Sequence, residues 1–555
     1  MGRKVNKKSF VIQGSILAIA GILVRVIGLI YRIPLTRILG DEGNGYYSTA
    51  YDIYNILILL SSQSMPLAVS KIVSETLSRR QFKNTHKVFK GALVFATIIG
   101  VVFGLFAFLG ADWLATVLYK TPPAAMALKV LAPTLTIACF LGVMRGFFQG
   151  MGDMVPTAIS QVFEQIINAA ISVIAAYELG IYIYTANKMS GMSGAALLTS
   201  KAEWGAAGGT LGTLSGALTA LLVIIIFFFV RYKKLKQQRL QDTTNYTDSY
   251  GKIAKILFFT ITPVLLSTTI YNISNLIDNP VFQNIMDSFA GVKETVRASL
   301  WGVYSAKYRV LTTMPIAIST ALSTAMVPSL VRSYTEGSFK VLKNKVSLAL
   351  KVSMLIAFPC GVGLSVLGGP INDMLFGDTS VLTRTMMMFS VFTVVAFSMS
   401  TITNAILQGI DRLSIPIKNA AISIVLHFII LPILLIVFKL GIYSVVISDA
   451  LFAFTVCILN HFSLKKYINY KFDFFNTLVR PLLCSVVMGM VCFFTYKLLI
   501  FIIPSVIART IISIVVGGVV YGLSLIITKT ITREELESIP KGDLVIKVLE
   551  KVKLI

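Results

Sequence analysis

The stretch GILVRVIGLIYRIPLTRILG, residues 21–40, lies in an apolar segment that is long enough to cross a bilayer as a helix. Two arginines, Arg25 and Arg32, nevertheless stand inside it, and Arg37 stands near its far end. A mid-membrane arginine costs about 2.5–3.5 kcal/mol on insertion scales, so an arginine rarely faces lipid there. The segment therefore predicts a membrane helix with a polar environment on one side.

Composition extends this interpretation to the whole chain. Of 555 residues, 55% are hydrophobic and 14% are charged, and the mean hydropathy is +0.80. This composition cannot supply the charged surface that a soluble protein of this length needs. Apolar runs of about twenty residues recur from end to end, and each can span the hydrocarbon core as a helix. The predicted fold class is an all-α polytopic membrane protein.

Fourteen membrane helices are predicted from the apolar runs. They lie near residues 10–37, 46–70, 88–110, 125–149, 155–179, 206–230, 254–278, 299–330, 346–367, 381–407, 414–438, 441–463, 478–500 and 504–528. The basic clusters between them fall mostly on one side, as the positive-inside rule requires of cytoplasmic loops. The net charge of +25 therefore indicates topology rather than a nucleic-acid partner. An even number of spans places both termini in the cytoplasm, with the chain in the plasma membrane.

An internal repeat crosses the longest polar linker, residues 231–252. GYYSTAY (45–51) matches GVYSAKY (302–308), and further matches follow in the same order at a nearly constant offset. Parallel repeats of this kind build transporters whose halves rock around a central cavity. The prediction is two pseudo-symmetric six-helix bundles plus two C-terminal helices. The predicted regions are an N-lobe (1–230), a cytoplasmic linker (231–252), a C-lobe (253–470), a helix pair (471–530) and an amphipathic cytoplasmic tail (531–555).

Arg25 and Arg32 are nearly two helical turns apart, so they share a face with Gly21 and Gly28. Two cations on one face favour a water-filled cavity, where the guanidinium fork suits a phosphate. The alternative is that Arg32 snorkels to an interface while Arg25 satisfies helix-end carbonyls. Arg37, near the external end, is expected to snorkel.

Other polar residues within the spans are candidates for the same cavity. Lys307 and Arg309 fall at the repeat position of Asp52 and Asn55, which predicts a cavity of asymmetric charge. The alternative is that these two cations only reach the external interface. Glu164, in the fifth predicted helix, could bind a proton, a cation or an arginine of the first helix.

In the seventh predicted helix, Asn272, Asn275 and Asp278 recur at three-residue spacing and share a narrow face. With Asp449 or Thr455 they would form an oxygen-only cation site. The sequence offers no pattern typical of a catalytic centre, a metal cluster or a nucleotide-binding loop. No cofactor is predicted, and coupling to Na+, H+ or the membrane potential is left open.

Several longer motifs carry a resemblance to a known family. LVRVIGLIYRIPLTRILGDEGNGYY (23–47) and MRGFFQGMGDMVPTAISQVFEQI (144–166) resemble the YtgP and stage V sporulation protein B group of Gram-positive bacteria. MVPSLVRSY (326–334) and NAILQGIDR (404–412) strengthen the match. This group is similar to the MurJ lipid II flippases, within the multidrug/oligosaccharidyl-lipid/polysaccharide exporter superfamily.

The resemblance implies a two-lobed bundle with a central cationic cavity. Such a protein moves an undecaprenyl-diphosphate-linked peptidoglycan precursor, lipid II, from the inner to the outer leaflet by alternating access. The resemblance also implies that Arg25, Arg32 and Arg309 contact the diphosphate, and that the last two helices form a groove for the lipid tail. Its partners would be the undecaprenyl-linked glycan, membrane lipids and the cell-wall synthesis machinery. The family often has proline at the position of Asp52, which leaves the substrate and the coupling ion open.

Alternative functions remain open at this point. The first is a flippase for another undecaprenyl-linked unit, of the capsule or teichoic type. A multidrug cation antiporter is less favoured, because the two cavity arginines would repel cationic drugs. A membrane glycosyltransferase or polymerase would need catalytic residues in external segments, where the sequence shows no such set. A role in sporulation is compatible with the resemblance.

Overall fold

The computed structural model describes residues 7–244 and 246–530, with side chains described except at 7–15, 18, 234, 263–276 and 324. Within the described residues the chain is helical and contains no strand, and twelve helices are long and apolar enough to cross a membrane. The predicted all-α polytopic membrane fold is therefore confirmed. The count of fourteen stays a prediction, because Ile19–Ser78 counts as one span although its helix breaks at Gly40. The amphipathic tail predicted at 531–555 lies outside the described residues.

The chain divides into two compact units, Met1–Ala306 and Lys307–Ile555. The division falls inside a π-helical turn, Tyr304–Tyr308, whereas the repeat analysis placed it at the linker 231–252. The helices Tyr250–Ser288 and Glu294–Val303 belong to the first unit. The former packs against the first three helices of that unit, and the latter packs against the first. The lobes predicted from the repeat thus differ in their limits from the compact units.

Unit 1 contains nine helices among the described residues. They are α1 (Lys7–Ser61), α2 (Met65–Ser78), α3 (Phe82–Leu109), α4 (Ala111–Trp113), α5 (Ala124–Gly150), α6 (Val155–Met189), α7 (Gly194–Leu240), α8 (Tyr250–Ser288) and α9 (Glu294–Val303). Its core is formed where α1, α5, α6 and α7 pack together, with α2 and α3 against α5. Since α7 continues to Leu240, the first ten residues of the predicted linker, 231–240, are helical.

The turn between the first two predicted spans is a break within α1. Gly40 has φ 65°, which glycine adopts without the Cβ penalty of other residues. The break frees backbone carbonyls, and the Asn44 side-chain amide donates to the carbonyl oxygens of Thr36 (2.9 Å) and Gly40 (2.6 Å). The helix therefore kinks at Gly40, and the Asn44 amide satisfies two of the carbonyl groups beside the kink.

The segment between α7 and α8 is tied to the first turn of α3. Asp242 accepts a hydrogen bond from the backbone N–H of Lys83 (2.6 Å), so it caps α3 from a distant part of the chain. Asn84 and Asp248 exchange two hydrogen bonds of 2.8 Å. Burial raises the pKa of Asp242, but hydrogen bonds from Thr244 and Lys83 outweigh it and leave the pKa below its usual value.

Unit 2 contains eight helices among the described residues. They are α10 (Arg309–Thr335), α11 (Phe339–Phe376), α12 (Val381–Met388), α13 (Ser390–Gly409), α14 (Ser414–Ile436), α15 (Tyr443–Ile468), α16 (Arg480–Leu499) and α17 (Val506–Ile527). The long helix α11 packs on α10 and α13 and also receives α16 and α17. Tyr521 of α17 donates a hydrogen bond to the Leu355 carbonyl of α11 at 2.8 Å. The predicted C-terminal pair is thus anchored on α11.

The two copies of the repeated motif touch each other within unit 1. A Cβ atom at Gly45 would overlap the backbone of Ala298, and one at Gly302 would overlap the carbonyl oxygen of Asp41. Ser305 donates to Ser48 Oγ, its repeat equivalent, at 2.6 Å. The glycines of GYYSTAY and GVYSAKY therefore allow α1 and α9 to approach at backbone distance.

Candidate functional site

The arginine face of α1, consisting of Arg25 and Arg32, lies on the surface of unit 1. Both side chains are exposed, and neither has a carboxylate partner among the residues that the structure describes. Arg32 is exposed although its guanidinium lies near Tyr31, Tyr47 and Tyr51. Within the part of the chain that the structure describes, the two positive charges therefore have no carboxylate counterion.

Tyrosines and amides continue the polar surface from Arg32 toward α6 and α7. The rings of Tyr47 and Tyr51 lie 4.6 Å apart, and the Tyr51 hydroxyl bonds to Thr213 of α7. Thr213 in turn donates to Asn168 of α6 at 3.5 Å. A Cβ at Gly28 would lie 3.2 Å from the Gln165 side-chain amide. The glycine on the arginine face thus permits close approach of α1 to this set of hydrogen-bonding groups.

Glu164 pairs with Arg145 of α5, a partner that the sequence analysis did not consider. Arg145 Nη2 lies 2.6 Å from Glu164 Oε2, and Arg145 Nε donates to Ser160 Oγ at 3.1 Å. The side chains are 14% and 32% exposed. The sequence signal for this partner is the arginine inside the motif MRGFFQG, residues 144–150. Glu164 therefore neutralises a cation of its own unit.

Asp52 is buried, and it accepts two hydrogen bonds from other helices of unit 1. Asn279 of α8 donates to it at 2.9 Å and Trp301 of α9 donates at 3.2 Å. Asn279 also donates to Thr49, one turn away, at 3.1 Å. Asn55, predicted with Asp52 as a cavity residue, is exposed. Asp52 thus joins three helices, and the two predicted cavity residues lie in different environments.

Lys307 lies in a buried ion pair of unit 2. Its Nζ is 2.7 Å from Asp378 Oδ2, and the side chains are only 6% and 10% exposed. Burial raises the pKa of Asp378, but hydrogen bonds from Lys307 and Thr383 lower it more, to about 2. Arg309 begins α10 and is half-buried. Of this predicted cation pair, Lys307 therefore has its charge balanced by an aspartate.

The predicted cation site is described only in part. The side chains of Asn272 and Asn275 lie outside the described residues, and Asp278 is buried in unit 1. In unit 2, Asp449 is buried beside His427, with a ring nitrogen and a carboxylate oxygen within 4.8 Å. The Nδ1 atom of His427 forms a hydrogen bond of 2.8 Å with Ser448 Oγ.

A cavity of about 470 Å³ lies beside the α1 break, and its lining includes Arg37, Asp41, Glu42 and Lys201. Arg37 is exposed there, and its snorkelling to the interface stays a prediction. The lining carries charges of both signs, in contrast to the arginine face deeper in α1. The cavity therefore does not share the purely cationic character of the Arg25–Arg32 surface.

Comparison with known proteins places these features in a family context. The chain matches the family described as "Polysaccharide biosynthesis protein" over residues 11–209 and the MatE family over residues 302–433. In Bacillus subtilis (strain 168), the membrane protein YabM is 25% identical, over 98% of both chains. The lipid II flippase MurJ is 23% identical over 77% of both chains, and stage V sporulation protein B is 25% identical over 67% of this chain and 68% of its own.

Solved structures show the same fold. A structure of the lipid II flippase MurJ in an inward closed conformation superposes with a TM-score of 0.66 at 14% identity, covering 92% of this chain and 98% of that one. An inward-facing multidrug resistance transporter of the MATE family also reaches a TM-score of 0.66, at 17% identity, covering 80% and 94% of the two chains. At these identities, the likeness concerns the fold alone.

Proposed function

Because this chain belongs to the multidrug/oligosaccharidyl-lipid/polysaccharide exporter superfamily, we propose that it is a flippase for an undecaprenyl-diphosphate-linked peptidoglycan precursor, lipid II. It would carry the precursor from the inner to the outer leaflet of the plasma membrane by alternating access, as a secondary transporter rather than an enzyme. Both termini would lie in the cytoplasm, as the basic loops indicate.

The arginine face carries this proposal. Three other cations of the two units, Arg145, Arg297 and Lys307, lie within 2.7 Å of a carboxylate. Arg25 and Arg32 have no such partner among the described residues, although the spans that hold them are apolar. A membrane arginine without a counterion is costly unless an anionic ligand pairs with it or water solvates it. A diphosphate supplies two negative groups that fit guanidinium forks.

The remaining parts of the molecule are assigned by the same proposal. Arg309 would join the diphosphate site, and the α16–α17 pair would receive the lipid tail against exposed apolar side chains such as Phe494 and Val515. The driving force would be the membrane potential or a gradient of Na+ or H+. Asn272, Asn275 and Asp278 are the proposed cation-coupling residues.

The second candidate is a flippase for another undecaprenyl-linked unit, of the capsule or teichoic type. It shares the diphosphate, so the arginine face supports both candidates equally. The relative named as a lipid II flippase favours the peptidoglycan precursor. A cation antiporter is disfavoured, because exposed guanidinium groups repel cationic drugs.

Complementation tests the proposal. A host depleted of its own lipid II flippase would receive the wild-type chain, Arg25→Ala/Arg32→Ala, or the matched control Arg79→Ala. Arg79 is an exposed arginine at the end of α2 that pairs with Glu75. Growth is expected with the wild type and the control and not with the double variant, at equal protein amounts in membranes.

Two outcomes would overturn the proposal. If the wild-type chain reaches the membrane and growth is still not restored, the lipid II assignment is wrong. If the double variant restores growth as well as the wild type does, the arginine face does not bind the substrate.

A further inference from the structure

Two glutamates at the predicted external end of unit 1 share one tyrosine hydroxyl. Tyr46 Oη lies 2.8 Å from Glu42 Oε1 of α1 and 3.3 Å from Glu294 Oε2 of α9. Tyr46 is fully buried, and its neighbour Gly45 packs against Ala298 at backbone distance. The shared hydroxyl therefore lies in the contact between the two copies of the repeated motif.

The number of hydrogens at this contact is too small for two ionised carboxylates. A tyrosine hydroxyl has one proton to donate, so Tyr46 can donate to only one of Glu42 and Glu294. The other contact is a hydrogen bond only when that glutamate is protonated and donates to the Tyr46 oxygen. With both ionised, two like charges would instead repel each other across a single donor.

The second oxygen of Glu294 points to the same protonation. Glu294 Oε1 is buried and has no hydrogen-bond partner among the residues that the structure describes. An ionised carboxylate oxygen that is buried without a donor carries the full penalty of lost hydration. A protonated carboxyl avoids most of that penalty.

The charged groups around Glu294 do not neutralise it in place of this proton. Besides Glu42, the charged groups near Glu294 are Glu203 of α7 and Arg297 of α9. Glu203 adds a further negative charge. Arg297 is already held by other acceptors: Asp287 at 2.6 Å, the Lys120 carbonyl at 3.0 Å, and the Val292 carbonyl.

A cation near Glu203 also has a carboxylate partner. Lys129 of α5 is close enough to influence Glu203, and its Nζ lies 2.8 Å from Asp112. Among the described residues near Glu294, carboxylates therefore outnumber cations. On its other side, Glu42 lines the cavity that also contains Arg37, Asp41 and Lys201.

We propose that the contact between α1 and α9 takes up one proton when it forms, held between Glu42, Tyr46 and Glu294. The inference rests on the proposed function only for the premise that this contact opens and closes during transport. Since the closed contact holds the extra proton, its population falls as pH rises. One linked proton changes the ratio of closed to open by at most about tenfold per pH unit.

Distances between spin labels test this proposal without any substrate. Leu198 of α7 and Val296 of α9 have exposed side chains, so Leu198→Cys/Val296→Cys can be labelled in the full chain in lipid nanodiscs. The native cysteines are buried or half-buried, and a chain without the two added cysteines gives the background. We expect the short-distance population to fall between pH 5.5 and pH 8.5.

Three variants locate the proton. Glu294→Gln carries a permanent N–H donor for Tyr46, so its short distance should persist at every pH. Tyr46→Phe keeps the ring but lacks the shared hydroxyl, so its distances should not respond to pH. Glu75→Gln changes an exposed glutamate at the other end of the unit and should respond as the wild type does.

A short-distance population that is constant over this pH range in the wild-type background overturns the proposal. So does a pH response that Glu294→Gln leaves unchanged. If complementation fails while the distances still respond to pH, the proposed substrate is wrong and the proton site stands.

Discussion

The arginine face of α1 and the Arg145–Glu164 pair both place guanidinium groups inside apolar spans of unit 1. Arg145 has a carboxylate at 2.6 Å and a serine hydroxyl at 3.1 Å. Arg32 has tyrosines as neighbours, and Arg25 and Arg32 lack a carboxylate among the described residues. A paired cation is already neutralised and contributes to helix packing. An accessible cation without a counterion attracts an anionic ligand electrostatically.

Unit 2 extends this comparison. Lys307 is predicted as a cavity cation because it lies within a span at the repeat position of Asp52 and Asn55. Its pairing with Asp378 makes it resemble Arg145 instead. A basic residue in a membrane helix is therefore a candidate ligand-binding residue only after its neighbours are known.

The largest expected effect is on ligand binding by the arginine face. Arg25→Ala/Arg32→Ala should weaken binding of undecaprenyl diphosphate to the purified chain roughly 100-fold or more, because each charged hydrogen bond contributes about 1.5–3 kcal/mol. Arg25→Lys/Arg32→Lys keeps the charge without the guanidinium fork, so its affinity should lie between those of the wild type and the double alanine variant. Microscale thermophoresis measures the affinities, and equal melting temperatures show that folding is intact. If the double alanine variant binds the ligand as tightly as the wild type, Arg25 and Arg32 do not bind it and do not differ from the paired Arg145 in this respect.

The second effect is on stability, at the paired arginine. Arg145→Met leaves Glu164 without its partner, so we expect a loss of about 2–3 kcal/mol, less than for a fully buried pair. Arg145→Met/Glu164→Leu removes both charges and should recover most of that loss. Thermal unfolding of the purified variants provides the measurement. A single variant as stable as the wild type would show that the pair does not hold α5 to α6.

The third effect is a pH dependence at Asp378. Its folded pKa of about 2 lies below the ordinary value of 3.8, so its stabilising effect is present above that value and is lost as pH falls toward 2. Allowing for solvent screening, we expect a loss of about 1 kcal/mol. Asp378→Asn should lose this part of the acid sensitivity. Unfolding temperatures between pH 2.5 and pH 5 test it, and an identical acid profile in the variant would contradict the prediction.

The smallest effect is expected at the exposed Arg79–Glu75 pair, whose atoms also approach to 2.7 Å. Water screens this pair, so Glu75→Gln should change the unfolding free energy by less than about 0.5 kcal/mol. A larger loss would mean that distance alone, rather than burial, sets the contribution of these ion pairs. The same thermal measurement applies.

The sequence analysis succeeded where the relevant pattern is local. The spacing of Arg25 and Arg32 predicts their common face, because the helical period is the same in any environment. The repeat predicted that Gly45 and Gly302 are equivalent, and the structure adds that they pack together. The analysis did not identify Arg145 as the partner of Glu164, since nothing near Glu164 in the chain specifies which neighbouring helix faces it.

The sequence by itself determined the membrane class, the helical fold, the repeat and the arginine face, because hydrophobicity and helical periodicity are properties of short segments. Only the tertiary structure decided which charges are neutralised. Asp52 meets Asn279 and Trp301, and Lys307 meets Asp378, across long stretches of chain. Such partners are selected when helices pack, since a buried polar group must find its hydrogen bonds from whatever element lies against it.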